Sequence, residues 1–274
     1  MFAEAVLTAM AGVIGALLGS FLNVCVYRLP RNESIVRPRS HCRGCGAMIA
    51  WYDNVPVVSW LVLRGRCRHC HAPISVQYPL VEAATALAWA GAVWWWGPTW
   101  DALSAAVLLT LLLGILLTDA QHFIIPDELS LGGLGAGFAL SFFTDRIAPL
   151  QSVIGAATGF AMLWLVKAGG DWALRRGLIG GEEVRQTLGP EEPPSAMGGG
   201  DLKMMAMIGA FLGWQGVLAT AFLGALTGTL VYLPFLLRRT KPLVPFGIYL
   251  AVGAAAWLVA GDRLTAWYLG FLQP

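Results

Sequence analysis

The sequence predicts an all-α, polytopic membrane protein of about eight transmembrane helices, with a small cysteine-bearing cytoplasmic segment between the first helix and the second. Three observations carry that reading. Of 274 residues, 57% are hydrophobic and only 12% charged. The mean hydropathy is +0.65, so the chain is more apolar than a soluble core of this length needs. Apolar runs recur along the chain at lengths suited to a hydrocarbon layer of roughly 30 Å. The basic residues gather between alternate runs instead of spreading evenly.

The first run, 5–27, reads "AVLTAMAGVIGALLGSFLNVCVY" and has no basic stretch before it, so it is expected to be a retained span and not a signal peptide. Further runs follow near 80–96, 102–118, 129–143, 152–167, 202–214, 217–237 and 246–260. Two of them are short and broken by glycine, and "LTAWYLGF" either extends the last helix or lies at the interface. Patches such as "LGGLGAG" fall inside the runs, where small residues let helices approach closely. Without a strand before them they do not read as nucleotide loops. No repeat of solenoid type is visible. The polar, proline-bearing stretch "GGEEVRQTLGPEEPPSA", 180–196, is expected to be a mobile cytoplasmic loop.

If the spans alternate, segments 28–77, 119–128, 168–201 and 238–245 share one face. Every Lys and Arg except Arg146 and Arg263 lies at that face or within a turn of it. Basic residues are retained on the cytoplasmic side, so that face is expected inside and both termini outside. Three parts follow: a first helix at 1–27, a cytoplasmic segment at 28–78, and a helical core at 79–274 with a mobile loop at 168–200.

Within the segment, "HCRGCGAMIAWYDNVPVVSWLVLRGRCRHCH" holds Cys42, Cys45, Cys67 and Cys70 as two CxxC knuckles. CxxC spacing lets both thiolates of a knuckle face one tetrahedral ion, and two knuckles complete a four-thiolate zinc shell. The 21 residues between the knuckles exceed the usual spacing of about 15–20 by one. Disulfides compete with this reading, but a segment in the reducing cytoplasm is not expected to form them. A closed four-thiolate shell leaves no position for substrate or activated water, so the zinc is expected to be structural. Arg43, Arg66 and Arg68 stand beside the cysteines and are expected to help keep the thiolates ionised. His41, His69 and His71 are near enough to replace a ligand, though four thiolates suffice without them. Cys25, inside the first run, reads as a small buried apolar residue.

Ionisable residues at membrane helices are costly and point to function. The third run ends in "LLTDAQHFIIPDELS", with Asp119 at its inner end, and the sixth begins after "AMGGGD", with Asp201 at its start. One helix arrives at the cytoplasmic face and the other leaves from it, so the two carboxylates share a depth. Two facing carboxyl groups share a proton, one serving as base and the other as acid, which is what aspartyl proteolysis requires. The plainer reading of Asp201 is a helix cap or dipole partner. That reading applies more strongly to Asp127 and Glu128, which follow Pro126 at the next helix start. The glycines before Asp201 would let backbone approach an extended substrate and let the helix start move.

Taken together, "GSFLNVCVYRLPR", the double CxxC segment with "WYDNVPVVSWLVLRGRC", "QYPLVE", "TDAQHFIIPDELS" and "MGGGDLKMMAMIGAFLGW" resemble the bacterial type IV prepilin peptidases, membrane aspartyl proteases of the GxGD type. The resemblance runs from about Gly19 to Trp214 and is specific because several motifs agree in order. It implies that Asp119 and Asp201 are the catalytic pair. It implies removal of a short basic leader from prepilins or type II secretion pseudopilins at the cytoplasmic face of the bacterial inner membrane. It further implies N-methylation of the new terminus with S-adenosylmethionine as donor, the cysteine segment and first helix forming the methyltransferase part. The expected partners are these substrates and membrane lipids, not nucleic acid. One departure stands out: the stretch before Met197 is usually short and basic, and here it is long and carries "GPEEPPSA".

No GxGxxG follows a strand, so a methyl-donor site of Rossmann type is not expected. Glu82, read in the first turn of the second helix, is a candidate contributor to that site or simply a carboxylate suited to a helix N-terminus. Among rival classes, a transporter should carry its carboxylates near the midplane beside broken helices. A zinc metalloprotease would need HExxH and an open coordination position, and the sequence has neither. A non-catalytic zinc-bearing scaffold of a secretion system would keep the cysteines without needing two boundary aspartates.

Overall fold

A computed structural model of the chain describes residues 2–178, 195, 197–237 and 245–272. Among them every regular element is helical: α1 (Phe2–Arg28), α2 (Val58–Val62), α3 (Gln77–Trp96), α4 (Trp100–His122), α5 (Asp127–Leu140), α6 (Pro149–Arg175), α7 (Gly199–Leu237) and α8 (Phe246–Leu272), with short 3-10 turns at Leu29–Arg31 and Trp51–Asp53. The only extended pairing among these residues is two isolated antiparallel bridges, His41 with Met48 and Arg66 with Pro73. Among the described residues, four helices are long and apolar enough to cross a membrane: Phe2–Arg31, Trp100–His122, Pro149–Arg175 and Gly199–Pro234. Phe246–Gly261 is a shorter apolar helix.

Each of the eight expected runs overlaps a helix, but the boundaries differ, and the run at 129–143 outlasts α5, which ends at Leu140. The runs at 202–214 and 217–237 are one element, α7, bent where Gly213 leaves helical geometry at φ 69° and ψ −179°. Glycine is the residue that adopts such a φ at no steric cost. Helix α6 continues past Lys167 to Arg175, and of the expected loop at 180–196 only Ser195 lies within the described residues. Helix α5 has 14 residues, about 21 Å at a rise of ~1.5 Å per residue, which is shorter than a full span.

The chain divides into two compact units, Met1–Pro126 with Phe143–Arg146, and Asp127–Phe142 with Ile147–Pro274. In the first, α1 and α3 pack backbone against backbone. A side chain at Gly19 would run into Thr85 Oγ1 and come within 2.8 Å of the Glu82 Cα. Leu22, Val26 and Val81 form the core beneath this crossing, and Leu113 and Leu117 of α4 close it. Trp89 Nε1 donates to Thr110 Oγ1 at 3.0 Å, satisfying an indole that apolar surroundings would otherwise strand. Thr99 caps α4, its hydroxyl accepting the Ala102 N–H at 3.2 Å, which meets one of the unpaired donors of a helix start. The outward side of α1 presents Leu7, Met10, Val13, Ile14, Leu17 and Phe21, as a helix facing lipid does. Trp94, Trp95 and Trp100 are exposed around the α3–α4 connection, as tryptophans at a membrane–water interface are.

In the second unit α7 is the axis. Its "MMAMI" stretch is closed in on every side, Met204, Met205, Met207 and Ile208 each at 0% exposure. A helix buried all round needs apolar residues all round, and the sequence supplies them. Helix α6 crosses it at Gly155, Gly159 and Gly209. A Cβ on Gly155 would fall on the Gly209 carbonyl and 2.8 Å from the Gly213 Cα, and one on Gly159 would lie 2.8 Å from the Met205 carbonyl carbon. On the other side α8 meets α7 at Gly253, where a Cβ would lie 2.7 Å from the Thr220 carbonyl oxygen.

This packing predicts that Gly159→Leu forces α6 off α7 at a cost of about 1–3 kcal/mol or more. The expected outcome is a lower melting temperature in detergent. Gly132→Ala, at a position with no heavy atom within 4 Å of the added carbon, is expected to melt like the parent.

Candidate metal centre and boundary carboxylates

The two knuckles are built to one pattern. Cys42 N–H donates to the Ala47 carbonyl and Cys67 N–H to the Ala72 carbonyl, each at 2.9 Å. The residue after each second cysteine, Gly46 (φ 73°) and His71 (φ 58°), takes the left-handed conformation that turns the chain back. His71 therefore serves the turn through its backbone. The four sulfurs of Cys42, Cys45, Cys67 and Cys70 lie within 4.8 Å of one another, and those of Cys42 and Cys70 are 3.7 Å apart. A tetrahedral ion with sulfur ligands at ~2.3 Å has sulfur–sulfur edges of about 3.8 Å, so the cluster fits such an ion.

The electrostatics of the cluster point the same way. Backbone N–H groups of Cys45 and then Gly44, followed by the Cys67 thiol, lower the Cys42 pKa to about 6. The Cys70 and His69 N–H groups lower that of Cys67. Cys70 is helped by the Ala72 N–H, yet Cys45, burial, Cys42 and Cys67 together push it up to about 12. Four adjacent sulfurs cannot all carry negative charge unless a cation sits among them, and a bound metal ion removes that obstacle.

Two of the three arginines beside the cysteines, Arg43 and Arg68, bond to groups other than the sulfurs. Arg43 reaches away from the cluster: its Nη2 donates to the Tyr78 hydroxyl at 3.0 Å and its guanidinium lies 3.5 Å from the Tyr27 ring centroid. Arg68 donates through Nε and Nη2 to both oxygens of Asp53, at 2.8 and 2.6 Å, and this pairing holds the Asp53 carboxyl below its usual range. Each knuckle thus uses an arginine to attach to its surroundings, the first to α1 and α3 and the second to the Trp51–Asp53 turn. Arg28, 8% exposed, orders the chain leaving α1 by donating to the Ser34 and Pro38 carbonyls at 2.8 Å each.

Glu82 is also placed differently. Because α3 begins at Gln77, Glu82 lies in the second turn, where the helix dipole has little hold on it. It is 6% exposed, and its Oε2 accepts the Val57 N–H at 2.7 Å. Val57 has a φ of 60°, unfavourable for a β-branched residue, so the carboxylate ties down a strained turn of the cysteine-bearing segment.

Of the two boundary carboxylates, Asp119 belongs to the first unit and Asp201 to the second. Asp119 is in the last turn of α4 and 6% exposed. The chain turns at Phe123, φ 55°, whose N–H donates to the Asp119 carbonyl at 3.0 Å. Asp201 is in the first turn of α7, and its Oδ2 folds back to 3.6 Å from where a Gly198 Cβ would stand. Two residues on, Lys203 donates to both oxygens of Asp127, at 2.6 and 2.8 Å, joining the starts of α5 and α7. From sequence, Asp127 reads only as a helix-start residue; nothing in the spacing of residues 76 positions apart signals this pair.

Comparison with known proteins agrees with the motifs. Residues 13–96 match the bacterial peptidase A24 N-terminal domain, and residues 106–233 match the type IV leader peptidase family. A Myxococcus xanthus protein named prepilin leader peptidase/N-methyltransferase is 38% identical over 229 residues, covering 84% of this chain and 63% of that protein. Proteins of the same name from Aeromonas hydrophila and Pseudomonas aeruginosa are 34% and 35% identical, with 92% and 94% of this chain and 90% and 92% of those proteins covered. No solved structure matches. The chain belongs to the type IV leader peptidase family.

Proposed function

We propose that this chain cleaves the basic leader from prepilins or type II secretion pseudopilins and methylates the new N-terminal amine, with Asp119 and Asp201 as the proteolytic pair. The observation that carries the assignment is where each carboxylate stands. Asp119 is in the last turn of one long apolar helix and Asp201 in the first turn of another, at helix ends and not at mid-span. A prepilin-type substrate has a basic leader drawn to anionic headgroups and an apolar helix held in the bilayer, so its scissile bond lies at the interface. The basic bias of the connecting segments supports the cytoplasmic side for that interface, and the family supports a bacterial inner membrane.

In the mechanism the pair holds one proton. The ionised carboxylate removes a proton from water, and the water oxygen attacks the scissile carbonyl carbon. The protonated partner gives its proton toward the carbonyl oxygen, and the amine leaves with a proton returned from the pair. Cys42, Cys45, Cys67 and Cys70 would hold a zinc ion whose contribution is structural, since four thiolates leave it no open position. Residues 1–78 supply the methyltransferase part and residues 79–274 the peptidase core. S-adenosylmethionine supplies the methyl group in the second reaction. Glu82 accepts the Val57 N–H through one oxygen and so helps hold the segment.

Two outcomes test this reading. Asp119→Asn and Asp201→Asn, with purified enzyme and a prepilin in detergent, are each expected to lower leader cleavage by at least about 10²-fold while the protein still folds. Cleavage by Asp201→Asn near the parent rate would remove Asp201 from the pair. Elemental analysis of protein purified under reducing conditions is expected to give one zinc per chain, lost on Cys67→Ser with cleavage retained. Protein without zinc would refute the metal assignment.

A further inference from the structure

The buried side of α6 follows a four-residue step. Gly155, Gly159 and Leu163 are buried, and residues four apart share a helix face. The next position on that face is Lys167, where the pattern calls for another small or apolar residue. Its side chain is only 26% exposed, unusually low for a lysine.

Lys167 is directed at the start of α7. Its ammonium donates to the Met197 carbonyl at 2.8 Å and also bonds the Ser195 hydroxyl. Asp171, one turn further along α6, lies 3.4 Å from the ammonium and holds the side chain on that side. The Ser195 hydroxyl donates to the same Met197 carbonyl at 3.1 Å. Beyond Met197 come Gly198, Gly199 and Gly200, which have no side chains with which to fix their own path. Yet the Asp201 carboxylate folds back over Gly198, its Oδ2 at 3.6 Å from that residue's Cβ position. The peptide on which the carboxylate rests is thus joined to the carbonyl that Lys167 grips. Helix α6 is in turn fixed against α7 by the backbone contacts at Gly155 and Gly159, so the lysine is anchored to the body of the unit.

We propose that Lys167 is a positioning residue for Asp201: by holding the Met197 carbonyl it sets the place and direction of the glycine-rich start of α7. The lysine touches neither water nor substrate in this role. Three consecutive glycines allow many paths, and a carboxylate must be held closely to serve as acid or base. One charge-assisted hydrogen bond from a neighbouring helix narrows those paths. The inference rests on the assignment of Asp201 to proteolysis.

The test uses the full chain in detergent with a prepilin, measuring kcat and KM of cleavage, N-methylation of a pre-cleaved substrate, and the melting temperature. Lys167→Met is expected to lower kcat by about 10- to 100-fold, the scale of a misplaced reacting group, with KM, methylation and melting close to the parent. Lys167→Arg, which keeps a cationic donor, is expected to recover most of the kcat. If Lys167→Met does not fold, Lys167→Gln, which stays polar but falls short of the carbonyl, takes its place with the same expectations. A parent-like kcat in the variant, a change confined to KM, or a failure of arginine to restore turnover would overturn the proposal. Asp201→Asn run alongside separates the two claims. If it cleaves, the assignment of Asp201 fails. If it is inactive while the Lys167 variants are normal, only the positioning role falls.

Discussion

Close approach of helix backbones is the constraint on which the rest of the structure depends. In lipid, apolar side chains gain nothing by leaving their surroundings, so helices associate through van der Waals contact and polar bonds at short range. Both units use glycine for this. Gly19 lets α1 lie against Thr85 and Glu82 of α3, and Gly155 and Gly159 let α6 lie on the α7 backbone at Gly209 and Met205. Once the axes are that close, the positions further along each helix are fixed. Glu82 comes within reach of Val57, and Lys167 within reach of Met197. The polar groups that matter are thus placed by residues that have no side chain.

The segment between α1 and α3 meets a different problem. It has few buried apolar side chains, Cys67 being the one buried cysteine among the four, and so cannot hold itself by burial. Its order comes from backbone turns around the sulfurs, from two arginines that reach outward, and from the Glu82 carboxylate at a strained valine. The four sulfurs are close enough that one of them retains its proton tenaciously, the Cys70 pKa being pushed up to about 12. Small domains short of a core commonly draw folding energy from a metal, and this cluster has the composition and spacing for it.

Charge placement follows the same economy. Asp127 and Lys203 join two helix starts, Arg68 and Asp53 join a knuckle to a turn, and Lys167 lies between Asp171 and a carbonyl. None is isolated in an apolar region, where an uncompensated charge would be costly. Exposed pairs of this kind contribute little to stability; their effect here is to determine which backbone segment lies beside which.

The sequence by itself determined the class of the protein, its apolar helices, the four paired cysteines and the two helix-end aspartates. These are local properties: hydropathy over a window of about 20 residues, CxxC spacing, and an acid next to an apolar run. It did not determine where α6 ends, that the two runs on either side of Gly213 form one bent element, or what Arg43, Glu82, Lys203 and Lys167 touch. The reason is physical. A stretch such as Met204 to Ile208 of α7, apolar on every side, has no hydrophobic face to reveal its rotation. The partner of a charge at its end depends on that rotation and on how closely the neighbouring backbone comes. Only the tertiary structure decided those, turning Glu82 from a helix-start charge into a clamp on Val57 and Lys167 from a basic residue at a span's end into a contact with the segment before Asp201.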